Sequence, residues 1–565
     1  MKHTRALRAV RAEEWMMFGV ALGVCALVLA LVFVVAWQSF LSNGWDHPSF
    51  RGFGNYVTTF RKPWVQAAIL HTVSVSIGTT AFATVIGVSL AWINARTNVP
   101  CRSLLEVVTI VPFFLSPFVG AIAWMYLAAP RVGLLNEFAH AAFGLPLDVL
   151  NIYGPGGIVW VQGIFFTPFV YLMTIGTLRR MDPALEEGSR ACGCGVWTTT
   201  WRITLPLVMP AILSGVIIVF AASAAEFGVP LALGSPYGFE TLSTEIFSVL
   251  QRTEPRYDMA STMGAVLLAA TLILVLFYQR VLRSREFVTV SGKGFRARAV
   301  DLKGWRYAAL AWNLVYALVA VVLPLLILMI VSLQKVWLGA IDTSDFTASN
   351  YRFALFANPG TRSGIEHSLV LAIIGAFLAV ALSFIVTRII YRSRVPGRYW
   401  IDTITSIPLG VPAIVLGLGA LIVFIRTPLY GTLSVLLLAY IARFIPVGQR
   451  SIAGSLLALS PELEESSRAC GAGWAKTLTK VTLPLLKPGL AASWMLLFII
   501  FLRELPMSIM LWTSGTEVMS VALYQMLDLA TAGEIAAYAI IQAGIILLVL
   551  LCFRWTIRGE AILEA

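Results

Sequence analysis

Twelve times this chain runs for about 20 residues or more with almost no charged side chain, the length a helix needs to cross the hydrocarbon core of a bilayer. The stretches fall at roughly 15–40, 66–94, 104–128, 156–178, 208–233 and 262–282, then at roughly 307–333, 366–390, 402–425, 431–456, 486–512 and 536–556. Lipid offers no partner to a backbone N–H or C=O, so spans of this length are expected as helices. Of the 565 residues 58% are hydrophobic and 12% charged, where a soluble protein of this size carries about a quarter charged residues. The first stretch, Trp15 to Phe40, exceeds a signal-peptide core and reads as a retained helix. The expected fold class is therefore an all-α integral membrane protein with twelve transmembrane helices.

The net charge of +12 would suggest nucleic-acid binding on a soluble protein. Here the basic residues sort by loop instead. With the N-terminus inside, and basic residues toward the ends of spans counted with the adjoining loop, the inner segments hold 29 Lys and Arg and the outer segments 10, while Arg443 and Arg503 lie deeper within spans. By the positive-inside rule both termini are expected in the cytoplasm. The richest basic stretch, Arg280 to Arg306, reads as a lipid-facing linker between halves. The predicted division is thus a six-helix domain at 1–280, a basic cytoplasmic linker at 281–306 and a second six-helix domain at 307–565. The cysteines Cys25, Cys101, Cys192, Cys194, Cys470 and Cys552 lie in apolar spans or inner loops, so no disulfide framework is expected. Cys192-x-Cys194 has no second pair and no histidine nearby, and no metal site is assigned.

The two halves are copies. Asp182-Pro-Ala-Leu-Glu-Glu-Gly-Ser-Arg-Ala-Cys-Gly recurs as Ser460-Pro-Glu-Leu-Glu-Glu-Ser-Ser-Arg-Ala-Cys-Gly, and 16 of 29 positions are identical between 182–210 and 460–488. Upstream, His71, Pro100 and Pro112 pair with His367, Pro396 and Pro408 at a displacement of 296 rather than 278. The 18-residue difference is the longer loop around Arg131 to Tyr153. Six spans per half make the repeats parallel, related by an axis along the membrane normal.

The repeat is strongest in a polar loop between the fourth and fifth spans of each half. Asp182 and Ser460 are helix N-cap types, and Pro183 and Pro461 suit the first helical position. Glu186, Glu187, Glu464 and Glu465 fall in the first turns, where carboxylates complement the helix dipole. Gly193 and Gly195, or Gly471 and Gly473, permit a sharp corner before a stretch ending in Leu205-Pro206 or Leu483-Pro484. A short helix, a glycine corner and a return suit docking to a soluble partner.

These loops resemble the signature of the membrane subunits of ATP-binding-cassette importers. Glu187, Gly193, Ile203, Leu205 and Pro206 match its spacing, as do Glu465, Gly471, Val481, Leu483 and Pro484. The departure is at two alanines, here Gly188-Ser189 and Ser466-Ser467, which keep the side chains small. The resemblance implies a duplicated type I importer transmembrane domain in the bacterial inner membrane. Each loop would be a coupling helix seated on a nucleotide-binding subunit, so two ATPase copies would bind one chain. An extracytoplasmic binding protein would deliver substrate. Glu187 and Glu465 can equally serve as local helix-end residues. No Gly-x4-Gly-Lys-Ser/Thr occurs, and Gly292-Lys293 is not followed by Ser or Thr. ATP would therefore be bound by the partners, with no cofactor and no catalytic residue in this chain.

Glu226 and Glu504 stand 278 apart in the fifth spans. Ionisable residues there mark a translocation path or a buried structural carboxylate, and both readings stay open. Among such permeases the chain looks most like the fused ferric-iron type, on Glu226-Phe-Gly-Val-Pro230, Thr241-Leu-Ser-Thr-Glu245 and Arg503-Glu-Leu505. Oxygen ligands suit a hard trivalent cation. Fused thiamine permeases share the tandem architecture, and polyamine and aminophosphonate permeases share the loops. A proton-coupled secondary transporter has the same helix count, yet it would carry a basic Gly-Asp-Arg-type loop where this chain has Asn94 to Arg102. An integral-membrane enzyme would need clustered His or acidic residues, and the five histidines are scattered.

Overall fold

The computed structural model describes residues 12–43, 49–283 and 300–563, and these are helical apart from loops and three isolated β-bridges. Of the basic linker, residues 284–299 lie outside the described residues, and with them Gly292-Lys293 and the basic residues from Arg285 to Arg298. Among the described residues ten helices are long and apolar enough to cross a membrane, and counting each of two bent pairs as one span brings the number to twelve.

The bends are where sequence periodicity gave no warning. The third span is Arg102–Phe114 followed by Pro117–Ala128, bent by 99°, and its counterpart is Arg398–Leu409 followed by Ala413–Phe424, bent by 108°. Pro117 lacks an N–H and holds Ser116 in an extended conformation, and Pro412, likewise without an N–H, stands before the next helix after the Gly410-Val411 break. The fifth spans also differ from expectation. Each begins earlier, in the helices Val196–Ala225 and Trp474–Leu502, and stops at Glu226 or Arg503 instead of running to 233 or 512. A π-turn at Thr200–Thr204, and another at Leu478–Thr482, precede Leu205-Pro206 and Leu483-Pro484. The wider turn makes room for a proline ring that would otherwise meet the carbonyl four residues back.

Packing divides the chain into two units, one formed by 40–357 and 526–543, the other by 1–39, 358–525 and 544–565. This division cuts across the sequence repeat. In the first unit, Pro63–Arg96, Pro155–Arg180 and Val196–Ala225 are the central helices, meeting at Ala83, Phe166, Val170 and Val219. Gln162 Oε1 ties all three by accepting from Thr79 Oγ1 at 3.2 Å and Ser223 Oγ at 2.5 Å. The helix Trp305–Ser332, which opens the second half in sequence, packs here: Tyr316 Oη donates to Ile164 O at 3.1 Å and Trp312 Nε1 to Ser89 Oγ at 2.9 Å.

The other unit centres on Pro359–Arg392, Leu433–Ala458 and Trp474–Leu502. Its seventh-span equivalent is the helix Ala12–Gln38, whose Met17, Ala21 and Cys25 pack on Val386, Ile389, Ile390 and Ile401. Each half thus lends its opening helix to the other half's bundle. Duplication otherwise preserves detail: His71 Nδ1 meets Glu240 O and His367 Nδ1 meets Glu517 O, both at 2.9 Å.

Small residues set how closely helices approach when no hydrophobic effect separates helix from lipid. At Gly419 a Cβ would stand 2.1 Å from Leu31 O, so Ala12–Gln38 lies backbone to backbone on Ala413–Phe424. Gly419→Ala is expected to cost about 1–3 kcal/mol by overpacking, seen as a lower thermal midpoint of the purified chain in detergent. Gly23→Ala, on the same N-terminal helix with open space around it, should leave the midpoint in place.

Candidate functional site

The two polar loops fold alike because the same local chemistry is written twice. In the first, Asp182 Oδ1 accepts from Ala184 N at 2.9 Å and starts the helix Pro183–Ala191. In the second, Ser460 Oγ accepts from Glu462 N at 3.3 Å and starts Pro461–Ala469. Both helices end in a Schellman motif. Gly193 has φ +86°, with Gly193 N donating to Arg190 O at 2.9 Å and Cys194 N to Ser189 O at 3.2 Å. Gly471 has φ +83°, with Gly471 N on Arg468 O at 3.0 Å and Ala472 N on Ser467 O at 3.2 Å. A hydroxyl pair then closes each corner, Ser189 with Thr199 at 2.9 Å and Ser467 with Thr477 at 3.0 Å.

Of the singled-out residues, Glu187, Gly193, Glu465 and Gly471 are exposed, free to meet another protein. Leu205 and Leu483 are half-buried, while Pro206 and Pro484 are exposed at the start of the long helix. The exposed apolar side chains Leu185 and Leu463 share these short helices.

The preceding glutamates, read from the sequence only as first-turn carboxylates, turn out to hold each loop to the bundle. Glu186 is buried, accepts from Thr204 Oγ1 at 2.6 Å and faces Arg96 Nε at 3.6 Å. Glu464 accepts from Thr482 Oγ1 at 3.0 Å and from Arg388 Nη1 and Nη2, each at 2.9 Å. The signal was present: the repeat preserves both glutamates of each pair and the threonines eighteen residues on. Burial works against the charged form of Glu464, but the Arg388 hydrogen bonds and charge, with Thr482 and Arg392, outweigh it and hold the carboxyl below its usual range. A carboxylate so depressed contributes stability above the ordinary carboxylate range and loses it only as pH falls through the lowered value.

Glu226 and Glu504 both stand where a fifth-span helix breaks. Glu226 Oε1 accepts from Gly228 N at 3.1 Å, and Glu226 O accepts from Ser243 Oγ at 2.5 Å. The Glu504 carboxylate is buried and accepts from Met507 N at 3.0 Å, Ser508 N at 3.1 Å and Ser508 Oγ at 2.9 Å. The Glu226 carboxylate therefore receives the first amide of Gly228–Leu233, and the Glu504 carboxylate receives the amides at the start of Ser508–Leu511. Near the second break, Arg443 Nη1 donates to Pro408 O and Val411 O at the bend of the ninth span. Among the described residues no group of three or more His, Cys, Asp or Glu side chains is placed to hold a metal ion. Cys192 and Cys194 are free thiols.

Comparison with known proteins bears on the whole chain. It is similar to the ferric transport system permease protein FbpB of Actinobacillus pleuropneumoniae, 26% identical over 510 residues, covering 88% of this chain and 72% of that protein. It is also similar to the putative ferric transport system permease protein FbpB 1 of Haemophilus influenzae, 26% identical over 527 residues, covering 91% of this chain and 81% of that one. A solved structure, that of a bacterial ABC transporter involved in the import of the acidic polysaccharide alginate, overlaps 48% of this chain and 97% of its own at 21% identity and TM-score 0.41. Residues 83–287 and 379–558, more than half of the chain, match the same family twice, once in each half of the repeat. The chain belongs to the family of binding-protein-dependent transport system inner membrane components.

Proposed function

We propose that this chain forms the transmembrane path of an ABC importer for ferric iron. The observation that carries the reading is the loop built twice, with the same cap, glycine corner and Leu-Pro return at 182–206 and 460–484. Each loop presents an exposed glutamate and leucine on a helix stiffened at both ends, a form suited to a groove on a soluble motor. Two loops call for two ATPase subunits, which bind the ATP, and this chain needs no cofactor of its own. The loops and both termini then face the cytoplasm, and a binding protein brings cargo to the opposite side. Iron is favoured because relatives named for ferric transport align along most of both halves. Thiamine, polyamine and aminophosphonate are the competing cargoes.

Glu226 and Glu504 are proposed to stand along the path with their backbone-capping role intact, since an ionised carboxylate has about four lone-pair sites and these bonds do not fill them all. The decisive experiment reconstitutes the chain with its ATPase and a ferric-loaded binding protein in proteoliposomes. ATP-dependent, uncoupler-insensitive iron uptake is expected, whereas uptake without any ATPase would exclude the reading.

Two variants test the parts. Gly193→Val with Gly471→Val places β-branched side chains at left-handed corners, costing roughly 1–2 kcal/mol at each. The chain should insert normally while ATPase co-purification and stimulation disappear. Glu226→Gln with Glu504→Gln should slow uptake with ATPase binding preserved, and unchanged transport kinetics would confine both carboxylates to the helix breaks.

A further inference from the structure

The two loops are copies in sequence but not in how they are held. The helices Pro63–Arg96 and Pro359–Arg392 are equivalent at a displacement of 296, so the repeat mate of Arg96 is Arg392, not Arg388. Arg96 and Arg392 share one task. Arg96 Nη2 donates to Met181 O at 3.3 Å, and Arg392 Nη2 donates to Leu456 O at 2.7 Å and to Leu459 O, the mate of Met181. Each caps the carbonyl end of the fourth span.

The halves part at the second task. In the first half Arg96 must also serve Glu186, and stretched between the two it reaches the carboxylate only at 3.6 Å, beyond hydrogen-bond range. In the second half the work is divided. Arg392 caps the carbonyls, and Arg388, one turn earlier, grips Glu464 through both nitrogens at 2.9 Å. The position of Arg388 in the first half is Trp92, which stacks on Trp197 with centroids 5.9 Å apart. Both glutamates keep a threonine from the following helix, at 2.6 Å for Glu186 and 3.0 Å for Glu464.

We propose that Arg388 and Glu464 are positioning residues that make the second loop a stiff lever on the helix Pro359–Arg392, while the first loop, tied mainly through Thr204 to the helix Val196–Ala225, is compliant. A bidentate guanidinium–carboxylate fork resists rotation as well as separation, and a single long contact resists neither. Motion of the second loop is therefore handed to two helices, and motion of the first chiefly to one. The two ATPase contacts of a single chain are then unequal in what they drive. This rests on the reading that the loops seat ATPases.

Two measurements test it. Hydrogen exchange on the full chain alone should show slower amides in Pro461–Ala469 than in Pro183–Ala191, and equal or reversed protection overturns the proposal. In the complete transporter in proteoliposomes, Glu464→Gln should raise ATP consumed per iron imported by roughly tenfold, equivalent to about 1.4 kcal/mol of lost coupling, with the ATPase still bound. Glu186→Gln should raise it several times less. Exchanging the pair, Arg388→Glu with Glu464→Arg, should recover most of the ratio, which a mere packing role would not. Equal losses from Glu186→Gln and Glu464→Gln sink the unequal latch. Failure of the wild-type chain to hold any ATPase instead sinks the docking reading, and the exchange comparison still judges the latch.

Discussion

A peptide group inside hydrocarbon has nothing to bond to except its own protein, and this constraint decides where charge appears in the described residues. The long helices satisfy themselves internally. Every interruption must find partners: Glu504 sits at the break of the second-half fifth span, and Arg443, on Leu433–Ala458, reaches across to the bend of the ninth. Glu504 receives amides at the start of a short helix, whereas Arg443 donates to carbonyls beside a break. The signs follow the exposed backbone groups: carboxylate to N–H, guanidinium to C=O. Charge within these spans is thus first a consequence of bending the chain, and a pathway role is built on a group that the fold already requires.

The same logic operates at the polar ends, where the fourth span stops. Met181 and Leu459 leave carbonyls that Arg96 and Arg392 take up. The short helix beyond each is fastened by a cap at one end and a left-handed glycine at the other, so its outer face stays clear. In how the corner is held, the two copies differ at Trp92 against Arg388, which determines whether one arginine or two serve it. The frame is common to both halves, and the proposed difference in stiffness lies in this side chain.

The span count, the parallel repeat and the paired loops were legible because each depends on local sequence. Run length reveals a lipid-facing helix, and a cap followed by a glycine corner reveals a short helix with a turn. The bends at Ser116-Pro117 and Gly410 to Pro412 were less legible, since proline is tolerated in many membrane helices and only packing decides whether it kinks or breaks them. The exchange of opening helices was invisible, because an apolar helix such as Ala12–Gln38 carries no record of which bundle it will join. Attention fell on Glu187 and Glu465 because of the family spacing, yet the inward-held residues are Glu186 and Glu464. A helix turns 100° per residue, so neighbouring glutamates take opposite duties, and choosing between them needs the position of an arginine some 80 residues away.

The exchanged opening helices also have a temporal side. Ala12–Gln38 leaves the ribosome long before Val386, Ile401 and Ala413–Phe424, the surfaces it finally covers, have been made. At about 5–20 residues per second, translation of the intervening chain takes roughly twenty to eighty seconds. Throughout that interval a finished helix waits in the bilayer without its mate, its glycine-facing side open to lipid or to whatever insertion machinery shelters it. Assembly of this bundle is therefore paced by synthesis, and a helix made early is among the last to find its place.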